Sequence, residues 1–436
     1  MRLSDKQHRR TVLLGSIGTL TMMAGCLGSD DSGDESSADT DATDDTVDDD
    51  SDAEESGMTD GEGDDDASLD DALHFGDSST SWPRGLADHS NSGYLPGPTE
   101  SMTSFERGLE IEAAVETAYP RYVFEGERLY SAFGDGTVRV YDTGGEEHWE
   151  RSSDVAVGPY VEGDVVYAIT SDDQLVAFDA ASGDQEWIRP APDDWEYADA
   201  VVVDGRVYGL LRRGPSDYVA GEYDIANDEV TWESDQVDEE PQELLITDGT
   251  LVVRETGSFH TGVRAIDIGE ETPRWAAELE AQSMLVGGEL LYGLELPGGV
   301  DADTEIHALS MADGTHRWSV AGSDELDPET TVTDGDRLYC ATDEGYRALD
   351  GETGEVAWTF QLENQVSAGP FVTDETLYLA EDARVYALDP SDGSELGTDT
   401  VSDLSAVTTL TGYRDRLWVG GESRAAGRDL IALEQP

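Results

Sequence analysis

Residues 331–358 read TVTDGDRLYCATDEGYRALDGETGEVAW. An apolar strand leads into an acidic tight turn and a second strand through Leu338 and Tyr339. A third strand ends at Ala348-Leu349-Asp350, and a glycine-bearing turn then precedes a strand that carries Trp358. The same order recurs in residues 158–187, GPYVEGDVVYAITSDDQLVAFDAASGDQEW, and in residues 369–397, GPFVTDETLYLAEDARVYALDPSDGSELG. Such a period outranks local propensity as a guide to fold, because each unit is a supersecondary element that cannot bury its apolar faces alone.

Two anchors count the units. The first is the aromatic near the end of the second strand: Tyr130, Tyr167, Tyr208, Tyr292, Tyr339 and Tyr378. Val252 and Trp418 fill the same place, which makes eight units. The second anchor is a tryptophan, at Trp149, Trp187, Trp232, Trp275, Trp318 and Trp358, with spacings of 38, 45, 43, 43 and 40 residues. Gly397 stands in that place in the seventh unit. The pattern predicts an all-β fold, an eight-bladed β-propeller of four-stranded antiparallel blades. Frequent Asp-Gly turns and a missing 3.6-residue period exclude a helical solenoid. The eighth unit, 406–436, stops at LIALEQP without its tryptophan strand. Residues 109–117, LEIEAAVET, alternate at Ile111, Ala113 and Val115, so this N-terminal strand is expected to close the ring.

The segments AFDAASGDQEW and ALDGETGEVAW are similar to the repeat of pyrroloquinoline-quinone-type (PQQ-like) propellers, with its Ala-x-Asp-x-x-Ser/Thr-Gly-x-x-x-Trp pattern. That family includes quinoprotein dehydrogenases and a BamB-like lipoprotein branch. SWPRGLADHSNSGY, residues 81–94, resembles the leader of secreted members, so the resemblance covers residues 81–436. It implies that the six tryptophans are structural docking residues, each stacking on the backbone of a neighbouring blade. Trp187 and Trp358, in the best-matched repeats, are expected to be mostly buried.

The family's dehydrogenases hold a quinone and a calcium ion near the axis, commonly under a disulfide between adjacent cysteines. This chain has only Cys26 and Cys340. No cysteine cluster is possible, and Cys340 reads as a small buried filler. With no adjacent cysteines, and a chain shorter than the family's usual enzymes, binding rather than catalysis is expected, with no cofactor; PQQ with calcium enters only under the alternative of a quinone-dependent dehydrogenase. No metal site is expected. The alternating acids Asp301, Asp303 and Glu305 lack the glycine and the distant glutamate of an EF-hand loop, and the seven histidines show no close-spaced pair. His148 and His316, beside Trp149 and Trp318, read as blade-edge residues.

The chain carries 98 acidic and 25 basic residues, a formal charge of -73. Lys6 is its only lysine. That surface repels phosphate backbones, which excludes a nucleic-acid partner. It also repels itself unless salt shortens the Debye length to roughly 3 Å near 1 M. The composition resembles that of proteins from extreme halophiles, particularly haloarchaea.

Residues 1–25 read as a signal peptide: a basic start, then Thr11–Ala24, too short to span a bilayer of roughly 30 Å. Arg9 and Arg10, followed by Thr11-Val12-Leu13-Leu14, look like a twin-arginine export signal. Met23-Ala24-Gly25-Cys26 resembles a lipobox, with Cys26 as the lipid attachment. Residues 26–72 read as an acidic disordered tether, with a cation-binding tail as the alternative; 21 acidic and no basic residues fall within 29–72. Residues 73–436 form the propeller. The expectation is a monomeric, lipid-anchored scaffold on the extracytoplasmic face of the membrane, with surface or membrane proteins as partners.

One face of the ring stands out. The spacing from the second-strand anchor to the end of the third strand is 12 in the first two units and 11 in the sixth and seventh. It rises to 16, 15 and 18 in the third, fourth and fifth. Three successive hairpins therefore lengthen on one face. They bring together Arg212, Arg213, Tyr218, Arg254, Phe259, His260 and Arg264, scarce cations and aromatics of the kind that favour recognition.

Overall fold

The computed structural model describes residues 94–95, 106–113 and 121–434, apart from 134–135, 143, 192–195, 204, 213–217, 235–239, 248, 257–260, 296–303, 322–329, 343–344, 414–415 and 424–427. The export signal, Cys26 and the tether lie outside the described residues, as do Arg213, Phe259 and His260.

The described residues form strands in eight sheets. β1 (Tyr94–Leu95) and β2 (Glu106–Ala113) precede the first full blade. That blade is β3 (Arg121–Glu125), β4 (Arg128–Phe133), β5 (Thr137–Asp142) and β6 (Glu147–Ser152). The second is β7 (Val155–Glu162), β8 (Val165–Thr170), β9 (Gln174–Asp179) and β10 (Gln185–Pro190). The third is β11 (Glu196–Val203), β12 (Arg206–Arg212), β13 (Tyr218–Asp224) and β14 (Glu229–Glu233). The fourth is β15 (Glu240–Thr247), β16 (Thr250–Thr256), β17 (Thr261–Asp267) and β18 (Thr272–Glu278). The fifth is β19 (Ser283–Gly287), β20 (Leu290–Glu295), β21 (Glu305–Ser310) and β22 (His316–Ala321). The sixth is β23 (Val332–Thr333), β24 (Arg337–Thr342), β25 (Gly345–Asp350) and β26 (Val356–Gln361). The seventh is β27 (Val366–Thr373), β28 (Leu377–Glu381), β29 (Arg384–Leu388) and β30 (Glu395–Thr400). The eighth has β31 (Leu404–Tyr413), β32 (Arg416–Ser423) and β33 (Arg428–Glu434), and takes its fourth strand from β2.

Apart from β1 and β2, strands follow one another in order across each sheet, all antiparallel, and the first strands of successive blades from β3 to β31 pack side by side around the axis. This is an eight-bladed β-propeller. The ring closes where β2 pairs antiparallel with β33, from Glu106 opposite Glu434 to Ala113 opposite Arg428. The closing strand thus begins three residues before the segment the alternation marks. A register shift between Arg107 and Glu110 breaks the period-2 pattern at its start. β1 adds in parallel to β27, on the inner edge of the seventh blade.

The core lies between blades rather than within one. Val123, Tyr130 and Val140 of the first blade pack with Val161, Val166 and Phe178 of the second. Leu291 and Leu309 meet Trp275 and Leu245 in the same way between the fourth and fifth. At the closing junction Phe124 lies against Trp418, with ring centroids 5.2 Å apart. Each fully buried Val, Leu or Phe contributes about 1.5–3 kcal/mol of hydrophobic stabilisation. A lone blade would forfeit it on both faces. The outer strands β6, β22 and β26 bury the tryptophan at their third position and expose or half-expose the rest. Cys340 is a free, fully buried thiol on β24.

Candidate functional site

Two sets of residues invite a functional reading, and blade topology puts them on opposite faces. In an antiparallel four-stranded blade, the hairpin between strands two and three shares a face with the link to the next blade. The turn between strands three and four lies on the other face, and there the repeat's Asp, Gly and Trp act together.

Asp179 ends β9, and its carboxylate accepts hydrogen bonds from the Ser182 backbone N–H at 2.7 Å and hydroxyl at 2.8 Å. Asp350 holds Thr353 likewise, at 2.9 and 2.8 Å. These bonds favour the ionised acid and hold both Asp179 and Asp350 below the usual carboxylate range, with the side-chain bond the largest cause in each. The chain then passes through a left-handed residue, Gly183, Gly314, Gly354 or Gly393, at φ between 68° and 72°. The preceding blade's tryptophan covers that glycine. A Cβ at Gly314 would lie 2.5 Å from Trp275, and one at Gly354 would lie 2.8 Å from Trp318. Each indole N–H then donates to the carbonyl following the third strand: Trp149 to Ala180 at 3.0 Å, Trp275 to Met311 at 2.8 Å, Trp318 to Gly351 at 2.8 Å and Trp358 to Pro390 at 3.0 Å.

Two junctions differ, and both lack the glycine. Asp228 and Glu271 hold the left-handed position, at φ 57° and 56°. Trp232 is buried, but its indole N–H meets no acceptor among the described residues. Trp187 packs against the core as a partly buried side chain, less enclosed than the other docking tryptophans. There Arg189 lies over the indole, 4.3 Å from the ring centroid, and donates to the Ile225 carbonyl at 2.6 Å. At this junction a guanidinium meets the acceptor carbonyl, and the Asp228 carboxylate in the same turn accepts from the Tyr223 hydroxyl at 2.5 Å.

On the other face, β12–β13, β16–β17 and β20–β21 are the three lengthened hairpins. β12, β13, β16 and β17 are seven residues each, against six for β8 and β9. In the fifth blade the strands stay short and residues 296–304 join them. The eighth blade also carries a long hairpin, β32–β33 joined by 424–427; the anchor spacing misses it because no Asp ends β33.

The cations of this arc are paired. Arg212 Nε donates to Glu196 at 2.8 Å, and this bond is the largest cause raising the arginine above its ordinary value. Tyr218, opposite Arg212 in the ladder, is buried. Arg254 Nε meets Glu243 at 3.2 Å, and Glu243 also accepts from the Met284 backbone N–H at 3.1 Å in the next blade. Arg264 Nε donates to Glu255 at 2.9 Å. The described part of the arc therefore presents neutralised pairs that fix hairpin bases and tie blades together, not a free basic patch. His307, at the base of the third hairpin, lies 3.2 Å from Glu295. Pairs that meet across a ladder leave no trace in linear spacing.

The quinone alternative fits poorly. Cys340 is enclosed in the core between the fifth and sixth blades, away from the axis, and the chain has no adjacent cysteines. β1 also takes up the inner edge of one blade. The residues present do not fit a quinone site with a vicinal disulfide.

Fold and repeat together define a PQQ-type propeller. The family model described as outer membrane protein assembly factor BamB matches residues 104–287 and 302–431, and the chain belongs to that family. It is 21% identical over 275 residues to the outer membrane protein assembly factor BamB of Yersinia pestis. That match spans 56% of this chain and 65% of the relative, just under two thirds of its length. The crystal structure of BamB from Moraxella catarrhalis superposes with a TM-score of 0.51 at 17% identity, covering 76% of this chain and 98% of that one. Quinohemoprotein alcohol dehydrogenase from Comamonas testosteroni gives 0.60 at 11% identity, covering 81% and 80%. At these identities the likeness is one of fold.

Proposed function

We propose that this chain is an extracytoplasmic scaffold, held to the membrane by a lipid on Cys26, that binds a surface or membrane protein through the arc of hairpins on its third to fifth blades. The observation that carries the reading is the run of three consecutive lengthened hairpins on one face, β12–β13, β16–β17 and β20–β21. Loops set on a rigid frame are the usual place for recognition. Membership of a family named for an assembly factor supports a binding role. Docking tryptophans and capped turns make the opposite face structural, which leaves the hairpin face free to vary. The acidic surface suits molar salt, where steering by charge is screened and contact must come from shape and apolar burial.

The test is capture from native membranes in molar KCl. Shortening the three hairpins to the length of β8–β9 leaves the ring folded and abolishes capture; capture that survives places the site elsewhere. Cys26→Ser releases the protein into the medium, and replacing Arg9 and Arg10 by lysine blocks export. Membrane retention of the Cys26→Ser protein would overturn the anchor.

A further inference from the structure

The base of the fifth-blade hairpin gathers three metal-binding side chains. Glu295 and Glu305 close the β20–β21 ladder directly opposite each other. Strand side chains alternate between faces, so His307 shares a face with Glu305. His307 Nε2 is 3.2 Å from one Glu295 carboxylate oxygen and 3.9 Å from one Glu305 oxygen. The three donor atoms lie within 4.8 Å of one another.

We propose that Glu295, Glu305 and His307 bind one divalent transition-metal ion. Like charges directly opposite across two strands are unfavourable, so the pair calls for a cation between them. In the two preceding blades the acids near this level each meet an arginine: Glu196 meets Arg212, Glu243 meets Arg254 and Glu255 meets Arg264. At the fifth-blade base, His307 is the one basic side chain paired with Glu295 or Glu305 among the described residues. One imidazole, at most singly charged, faces two carboxylates.

The geometry suits a small ion. Metals with oxygen and nitrogen donors at about 2.0–2.2 Å hold neighbouring donors roughly 3–3.5 Å apart. The His307–Glu295 separation already falls there, and the Glu305 oxygen, 3.9 Å from His307, needs only a small side-chain shift to join them. The donor set selects the ion class. Imidazole with two carboxylates suits Zn²⁺, Mn²⁺, Fe²⁺ or Co²⁺, whereas Ca²⁺ takes six to eight oxygens. The His307 and Glu295 side chains are 17% and 27% exposed, and Glu305 is 44% exposed, which leaves one side open for water ligands.

The full chain, stripped of metal and kept in molar KCl, provides the test. Isothermal titration with Zn²⁺ should show one site per chain on top of weak binding by the acidic surface, and Ca²⁺ should not compete for it. Co²⁺ should give a visible absorption band of an imidazole-ligated ion. His307→Ala should remove the band and weaken Zn²⁺ binding at least tenfold. Glu305→Gln should weaken it similarly, while Glu186→Gln, an exposed acid on β10, should change neither. Absence of a one-to-one site, or an unchanged Co²⁺ band in His307→Ala, would overturn the proposal. Membrane capture by the same variants is scored separately, so failure of the metal site leaves the scaffold reading standing.

Discussion

The indole of Trp358 lies across Gly393 in the turn of the following blade. A Cβ built on that glycine would come within 2.5 Å of the ring, and the indole N–H reaches the Pro390 carbonyl at 3.0 Å. Gly393 is thus fixed twice, by its φ of 72° and by the ring above it.

Gly393→Ala should therefore destabilise by about 2–4 kcal/mol, combining the left-handed cost with displacement of a buried ring. Urea unfolding in molar KCl measures it. A loss below about 0.5 kcal/mol would show that the contact is not constraining.

The tryptophans should not be equivalent. Trp358→Ala should cost about 3–5 kcal/mol, as for other buried aromatics. Trp187→Ala should cost roughly 1–2 kcal/mol, since its ring is only partly buried. Arg189 and Trp187 should also be coupled, because the guanidinium stacks on the ring while holding Ile225. A double-mutant cycle tests this, and additive effects would separate the two.

Glu271→Gly should stabilise the chain by about 1 kcal/mol. It relieves a side chain held at φ 56° and opens the turn to the indole of Trp232. Combining it with Trp232→Phe removes the N–H and should lose part of the gain. Destabilisation by Glu271→Gly alone would refute the account.

Acid should loosen the turns. Asp179, Asp224, Asp267, Asp313, Asp350 and Asp392 all titrate below the usual range, held by hydrogen bonds within their turns. A depressed folded value adds stability above the unfolded value of roughly 3.9. That stability disappears as pH falls through the folded values. Glu125 and Asp173 act in the opposite sense, because burial raises both. In molar KCl, stability should fall as pH drops below about 4. In dilute buffer it should first rise between about pH 7 and 5, as protonation relieves self-repulsion. Melting temperature at neutral pH should climb steeply from dilute buffer to molar KCl. A salt-independent melting curve would contradict the charge argument.

The blades were legible because their anchors are local. Tyr339, Asp350, Gly354 and Trp358 recur in fixed order, each needed by a strand end, a capped turn or a junction. What escaped the linear reading depends on residues distant in sequence. The setting of Trp187 depends on Arg189, which stacks on its ring, and on the Ile225 carbonyl of the next blade. The first residues of the closing strand are hidden by a register shift opposite β33. The cluster of Glu295, Glu305 and His307 exists only because the β20–β21 ladder sets the two glutamates opposite each other, ten residues apart in sequence. In the arc, the sequence showed the arginines as scarce but could not show that Glu196, Glu243 and Glu255 already hold them.

Pairing β2 with β33 also imposes an order in time. Glu106 finds its partner Glu434 only after every blade between them has been synthesised. Until then β2 has no ladder, and the first and eighth blades each leave a face uncovered at Phe124 and Trp418. On the ribosome the molecule is an open arc with a free strand edge, the state most exposed to mispairing. Ring closure therefore cannot precede the synthesis of β33, the last strand of the chain described.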